Sequence, residues 1–191
     1  MNYKFLGKEQ FYYQNYTITS LREEDIYRIK DWRNEQVDVL RQNNILTDAD
    51  QHNYYHNIVK KTFTEETPKI ILVSFLENGN CIGYGGLTNV DWYSKRAEIS
   101  FLVNTAITKD DKLYENSFGA FLQLMKIVAF EALNFNRLFT ETFDIRPLHI
   151  SIIEKSGFVR EGRMREHVLI KDKFVDSLIH GFIKSQYEFK G

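Results

Sequence analysis

The dipeptide Asn78-Gly79, set between an apolar β-rich run at 70–76 and a second at 82–90, constrains this chain more than any other feature. Asn-Gly is the favoured pair for a two-residue turn with both central residues at positive φ, the turn whose twist suits an antiparallel pair. It predicts a hairpin. At Lys69 the spacing of the apolar residues changes from that of the helix before it to that of a strand. A third strand over 97–104 extends the hairpin into an antiparallel meander.

Upstream, 16–21 reads as a short strand. Ser20 and Glu23 make an S-x-x-E capping box that opens a helix with Ile26, Ile29 and Trp32 on one face and an end near Asn34. Thr47 with Asp50 looks like a second N-cap, for a helix reaching Phe63 with Tyr55, Ile58, Val59 and Phe63 as its buried stripe. Downstream, 118–135 reads as a long helix and 137–143 as a strand, a βαβ-like crossover with the third meander strand. Pro147 suits the first turn of another helix, which Gly157 ends, and 158–170 with 173–183 form a hairpin about Lys171-Asp172. The order is β-α-α-β-β-β-α-β-α-β-β.

No repeat, low-complexity tract or Gly/Ser/Pro-rich linker interrupts the chain, so 16–191 is expected to be a single domain preceded by an N-terminal arm at 1–15. With 191 residues, roughly 70% of the unfolded surface is buried on folding, which requires neither disulfide nor structural metal. Cys81 is the only cysteine, so an intrachain disulfide and a cysteine-based zinc site are excluded. The net charge of −1 lacks the basic footprint of nucleic-acid binders. The first ten residues carry no apolar signal core and no run of ~18 apolar residues occurs, so the expected protein is cytoplasmic, with no membrane partner. The 15 Phe, 11 Tyr and 2 Trp fill a core or line a ligand cleft; composition leaves both open.

The element order, with its residues, resembles the GNAT acyl-CoA N-acyltransferase superfamily from Tyr16 onward. Ala97-Glu98-Ile99-Ser100-Phe101 looks like the family's A-E-I-G-Y strand, and Ile153-Glu154-Lys155-Ser156-Gly157-Phe158 like its Y-E-K-x-G-F. Glu161-Gly162-Arg163-Met164-Arg165-Glu166, followed by Lys171-Asp172-Lys173-Phe174-Val175-Asp176, resembles the ending of the branch that holds ribosomal-protein and sugar-nucleotide N-acetyltransferases. The resemblance implies an α/β (α+β) fold, a mixed, mostly antiparallel sheet with helices on both faces. Trp32-Arg33-Asn34 with Leu46-Thr47 is similar to acetyltransferases of the pseudaminic-acid pathway, which points to an amino-sugar nucleotide of surface polysaccharide biosynthesis as acceptor. A core Trp with two solvated neighbours gives the same triplet. Protein N-termini, other small amines and a non-catalytic acyl-CoA-binding role stay open.

Acetyl transfer to an amine needs a cradle for the donor's diphosphate, a hydrogen-bond donor for the developing oxyanion and a route for the amine's proton. The resemblance implies acetyl-CoA as donor, no metal, and a phosphate loop of pattern Arg/Gln-x-x-Gly-x-Gly/Ala. That loop falls on Tyr114-Glu115-Asn116-Ser117-Phe118-Gly119, where only Gly119 fully matches. Asn116, Ser117, Phe118, Gly119 and Ala120 are its expected phosphate-binding residues, and Lys109 and Lys112 either compensate for the missing basic residue or are solvated. The oxyanion donor is expected on the backbone around Phe101, Leu102 and Val103. Strand alternation sets Glu98 on a face with Ser100 and Leu102, as a candidate general base. Ile153 occupies the place of a family Tyr that protonates the departing thiolate, and His149, on the same helical face, is a substitute. Arg146 stands where the family has a cofactor-contacting Asn. For the acceptor, Arg33, Asn34 and Arg41 are candidate clamps, and Tyr54, Tyr55, Trp92 and Tyr93 candidate stacking surfaces. His52 and His56 lack a third ligand, so no metal is expected. Exposed aromatics and the C-terminal hairpin are compatible with a homodimer.

Overall fold

The computed structural model describes residues 3–42 and 44–187. Its sheet has eight strands: β1 (Gln10–Tyr13), β2 (Tyr16–Ser20), β3 (Ile71–Glu77), β4 (Asn80–Asp91), β5 (Arg96–Val103), β6 (Arg137–Phe143), β7 (Val159–Ile170) and β8 (Lys173–Ile183). They lie in the order β1-β2-β3-β4-β5-β6-β8-β7, antiparallel throughout except for the parallel pair β5 and β6. Five α-helical segments flank this sheet: α1 (Ile26–Glu35), α2 (Asp48–Tyr54), α3 (Lys60–Thr62), α4 (Asp111–Lys126) and α5 (Pro147–Lys155). Among the described residues no helix is long and apolar enough to cross a membrane.

The hairpin at Asn78-Gly79 forms as its turn chemistry requires, with φ of 49° and 83° and Glu77 facing Asn80. Strand β4 then presses closely on β3: Gly86 has φ 135°, and a Cβ there would stand 2.0 Å from the Ile71 carbonyl oxygen. Thr47 and Asp50 make a full capping box on α2. Pro147 opens α5, and Gly157 follows it at φ 86°.

Four expectations are corrected. The first fifteen residues, where described, are no loose arm: β1 pairs with β2, Phe11 and Leu6 are buried, and Tyr3 bonds both ways to the backbone of Leu72, accepting from its N–H at 2.7 Å. Ser20 caps nothing, because it is still in β2, paired with Val73; a short 3-10 turn at Glu23–Asp25 leads into α1 instead. The helix after Thr47 changes winding, with a π turn at Tyr55–Val59 between α2 and α3. That wider turn rotates the stripe, so Tyr55, Val59 and Phe63 are buried while Ile58 is 49% exposed.

The fourth correction bears on function. The long helix starts at Asp111, seven residues before the expected Phe118, with Asp110 as its cap: the Asp110 carboxylate accepts from the N–H groups of Lys112 and Leu113 at 2.9 and 3.0 Å. After Lys126 it continues as a π turn, Ile127–Ala132. Its buried face, with Phe118, Phe121 and Met125, packs on an aromatic cluster in which Phe75 meets Phe121 and Phe101 stacks on Phe118.

Candidate active site

The parallel ladder between β5 and β6 runs only over Arg96–Arg137, Ala97–Leu138 and Glu98–Phe139. Both strands continue, to Val103 and Phe143, but they no longer pair. From residue 99 to residue 103, β5 keeps β4 alone as partner, so its other edge presents backbone groups with no strand to satisfy them. The split opens a cavity of about 300 Å³ lined from both faces of the sheet. Its walls include Glu98 and Glu141 on one face and Phe101, Phe118, Thr140 and His149 on the other.

On the first face two carboxylates share one guanidinium. Arg41 Nη2 lies 2.8 Å from Glu98 Oε1 and 2.7 Å from Glu141 Oε2. Glu98, only 6% exposed, also accepts from Asn89 Nδ2 at 2.6 Å through its other oxygen. A carboxylate this deep stays satisfied only because each oxygen has a donor. Glu141 has a second neighbour at the rim, His167 Nε2 at 3.6 Å. Arg33, on α1, reaches the same cavity with neutral partners: its Nε donates to Gln42 at 2.9 Å and its Nη1 to the Tyr84 hydroxyl. No carboxylate among the described residues pairs with it, whereas Arg41 is matched twice.

The second face is aromatic. His149 stacks on Phe118 with ring centroids 4.0 Å apart and planes 9° from parallel, and Phe118 stacks in turn on Phe101. Burial, with the Arg146 charge beside it, holds His149 well below the usual histidine range, so the ring is neutral near pH 7. Tyr114 bonds to His149 and to Arg146, and burial pushes its phenol above the ordinary value. Among the described residues, the hydroxyl of buried Thr140 on β6 and Nδ1 of buried His180, on the facing residue of β8, have no hydrogen-bond partner.

The split brings together Glu98, Phe101, His149, Arg146, Arg33 and Arg41 of the expected site. Leu102 and Val103 lie on β5 beside it, buried against β4. The expected phosphate loop does not exist as a loop: Asn116, Ser117, Phe118, Gly119 and Ala120 lie inside α4, where backbone N–H groups bond back along the helix. Gly119 meets no close neighbour that a Cβ would strike. Asn34 ties down the following loop, donating to the Leu46 carbonyl at 2.9 Å and accepting from the Leu46 N–H. Tyr55 is core, its hydroxyl on the Leu21 carbonyl, and Tyr54 is exposed. Trp92 packs edge-on against Phe5 and Phe135 with its N–H on Pro68, and Tyr93 is 98% exposed in the β4–β5 turn; neither lines the cavity. Glu141 and Thr140 are not indicated by the sequence, and Tyr114 enters there only as the mismatched first position of the expected phosphate loop. Thr140 and Thr142 alternate with Glu141 in a strand whose inward face should be apolar, which is the one local signal of a polar split.

Acetyl-CoA fits this site in part. The unpaired edge of β5 offers backbone groups to an extended amide-bearing arm, and the cavity gives it room. A diphosphate finds no cradle at 114–119; the free N–H end of the helix lies at 111–113, a stretch that contains Lys112 and follows Lys109, with two of its groups already accepted by Asp110. No group of three His, Cys, Asp or Glu among the described residues is arranged to hold a metal ion.

A family model described as an acetyltransferase (GNAT) domain matches residues 18–179. No curated protein matches the chain significantly in sequence. Among solved structures, a probable acetyltransferase superposes with TM-score 0.70 at 18% identity, over 92% of this chain and 96% of that one. Spermidine N-acetyltransferase from Vibrio cholerae, in complex with CoA and spermine, superposes with TM-score 0.75 at 16% identity, covering 90% and 96%. A dodecameric structure of the Vibrio cholerae spermidine N-acetyltransferase gives TM-score 0.73 at 16% identity, over 91% and 96%. At these identities the likeness is one of fold.

Proposed function

Because the chain belongs to the GNAT acetyltransferase family, we propose that it transfers the acetyl group of acetyl-CoA directly to a primary amine in the split between β5 and β6. The observation that carries this reading is the cavity opened where the two strands part, with the aromatic wall of Phe101 and Phe118 on one side and buried Glu98 on the other. The donor's arm lies along the edge of β5 that β6 leaves at 101–103, where Gln36 Nε2 already donates to the Val103 carbonyl, and Lys109, Lys112 and Arg146 supply positive charge toward its phosphates. Glu98 takes the proton of the attacking nitrogen, directly or through water, while Arg41 and Asn89 hold its carboxylate in place. Holding both reactants in register supplies more of the rate than any one side chain.

The acceptor carries an amine and, beside it, an anionic group. The carboxylate pair suits an ammonium, and the guanidinium of Arg33, held by neutral partners, suits a phosphate or carboxylate. A nucleotide-linked amino sugar is of this class, with Arg33 in place of Arg41 as its grip. A polyamine, the acceptor named for the Vibrio cholerae neighbour, is favoured by the carboxylate pair alone. The test is the purified protein with acetyl-CoA and a panel of amino-sugar nucleotides, polyamines and peptides, read by release of free thiol. The expected result is turnover with an amine, fastest where an anionic group accompanies it. Turnover with polyamines alone overturns the acceptor, and no turnover and no acetyl-CoA binding overturn the activity.

A further inference from the structure

At the seam of α4 and α5, Arg146, Tyr114 and His149 form a hydrogen-bonded chain, of which the reaction outlined above uses only the charge of Arg146. Arg146 Nη2 donates to the Tyr114 hydroxyl oxygen at 2.8 Å, and that oxygen stands 2.7 Å from His149 Nδ1. A guanidinium can only donate, so the phenol accepts from Arg146 and its single proton is left for Nδ1. Nδ1 is then an acceptor, and a neutral imidazole in that position carries its proton on Nε2. Nε2 has no partner among the described residues, and the ring lines the cavity at the split. Stacking on Phe118 at 4.0 Å fixes the plane of the ring.

The geometry points to Tyr114 and Arg146 as positioning residues that lock His149 into the Nε2–H tautomer, so that it offers an uncharged hydrogen-bond donor to the acyl donor in the split. This rests on the reading that the split takes a thioester. The amine nitrogen forms its bond to the acetyl carbon, the carbon–sulfur bond breaks, and the electron pair leaves with the sulfur; the nitrogen's proton goes to Glu98. Nε2–H keeps its proton throughout and bonds to the negative charge as it gathers on the acyl donor, which is the work of a fixed dipole rather than of an acid. A protonated ring would have to donate from Nδ1 to the phenol oxygen, which would leave the Tyr114 proton without its acceptor. The groups facing the ring oppose protonation: Arg146 at the start of α5, His180 on β8, and the aromatic wall of Phe118 on α4.

The direct test is nitrogen-15 NMR of the histidine rings in the free protein, which tells the two tautomers and the cation apart without any activity. Expected is a neutral His149 with Nε2 protonated at pH values below 6.5, where an ordinary histidine is charged, and a mixture of tautomers in Tyr114→Phe. A charged ring, an Nδ1–H ring, or a Tyr114→Phe spectrum unchanged from the parent overturns the proposal. In turnover, His149→Phe, which keeps the stacking, lowers kcat about 10²-fold and Tyr114→Phe about tenfold, with acetyl-CoA affinity by calorimetry within about twofold of the parent. Tyr114→Phe with mixed tautomers and full kcat removes the donor role. Failure of the parent protein to bind acetyl-CoA instead removes the underlying reading, and the NMR still decides the tautomer.

Discussion

The two faces of the sheet at the β5–β6 split handle charge in opposite ways. On the face of Glu98 and Glu141, charge is gathered, paired through Arg41 and left in touch with water, Arg41 being 48% exposed. On the face of Phe101, Phe118 and His149 the wall is aromatic, the Arg146 guanidinium is held by the Tyr114 hydroxyl, and the His149 ring is stacked, buried and neutral. Amine acetylation needs both environments, since the acceptor arrives as a cation that must lose a proton while the acyl donor develops a negative charge that is best met by fixed dipoles in a dry site. The split joins them because two parallel strands that cease to pair leave a gap reachable from either side.

Substitutions on each face sharpen or break that contrast. The largest effect is expected from Glu98→Gln, which removes the base and lowers kcat about 10²-fold in steady-state assays while leaving acetyl-CoA affinity unchanged; full turnover would remove Glu98 as base. Next, Arg33→Ala raises KM about tenfold for an acceptor bearing an anionic group and leaves KM for a plain amine as it was. On the aromatic face the readout is stability against pH. Unfolded, His149 binds a proton below its ordinary value of 6.5, whereas folded it does not. The unfolded state therefore holds more protons as pH falls, and stability drops between about pH 7 and 5, by up to about 1.4 kcal/mol per pH unit. Denaturant titrations of the parent and of His149→Phe check this, the variant having the flatter profile. The smallest effect is Thr140→Val: deleting a buried hydroxyl with no partner among the described residues raises stability by about 1 kcal/mol, and a lower Tm would show that the hydroxyl is satisfied.

The legible parts of the fold were those set by local rules. Asn78-Gly79, Thr47 with Asp50, Pro147 and Gly157 each fix a backbone angle or satisfy a terminal N–H within a few residues, and each stands where the sequence indicated. Local rules misled where a longer-range contact outweighed them. Ser20 has the chemistry of a cap, but pairing with Val73 keeps it in the sheet. Asp110 has the same chemistry and does cap, which moves the helix start and turns 114–119 from a loop into helix interior. The site divides in the same way. Glu98 was visible from strand alternation beside a family-like segment, and Arg33 and Arg41 from their charge. Trp92 was misassigned because an aromatic at a turn looks the same whether it packs on Phe135 or faces a ligand. Tyr114 pairs with a residue 35 positions away, a contact that no periodicity announces.

The central claim is that the unpaired edge of β5 receives the acyl donor. Amide hydrogen exchange with and without acetyl-CoA tests it at the residues concerned. The expected result is slowed exchange confined to Ile99–Val103 of β5, the first turn of α4 and the start of α5, with β1 to β3 unchanged. Protection elsewhere, or exchange at 99–103 that acetyl-CoA at saturating concentration leaves untouched, would contradict it.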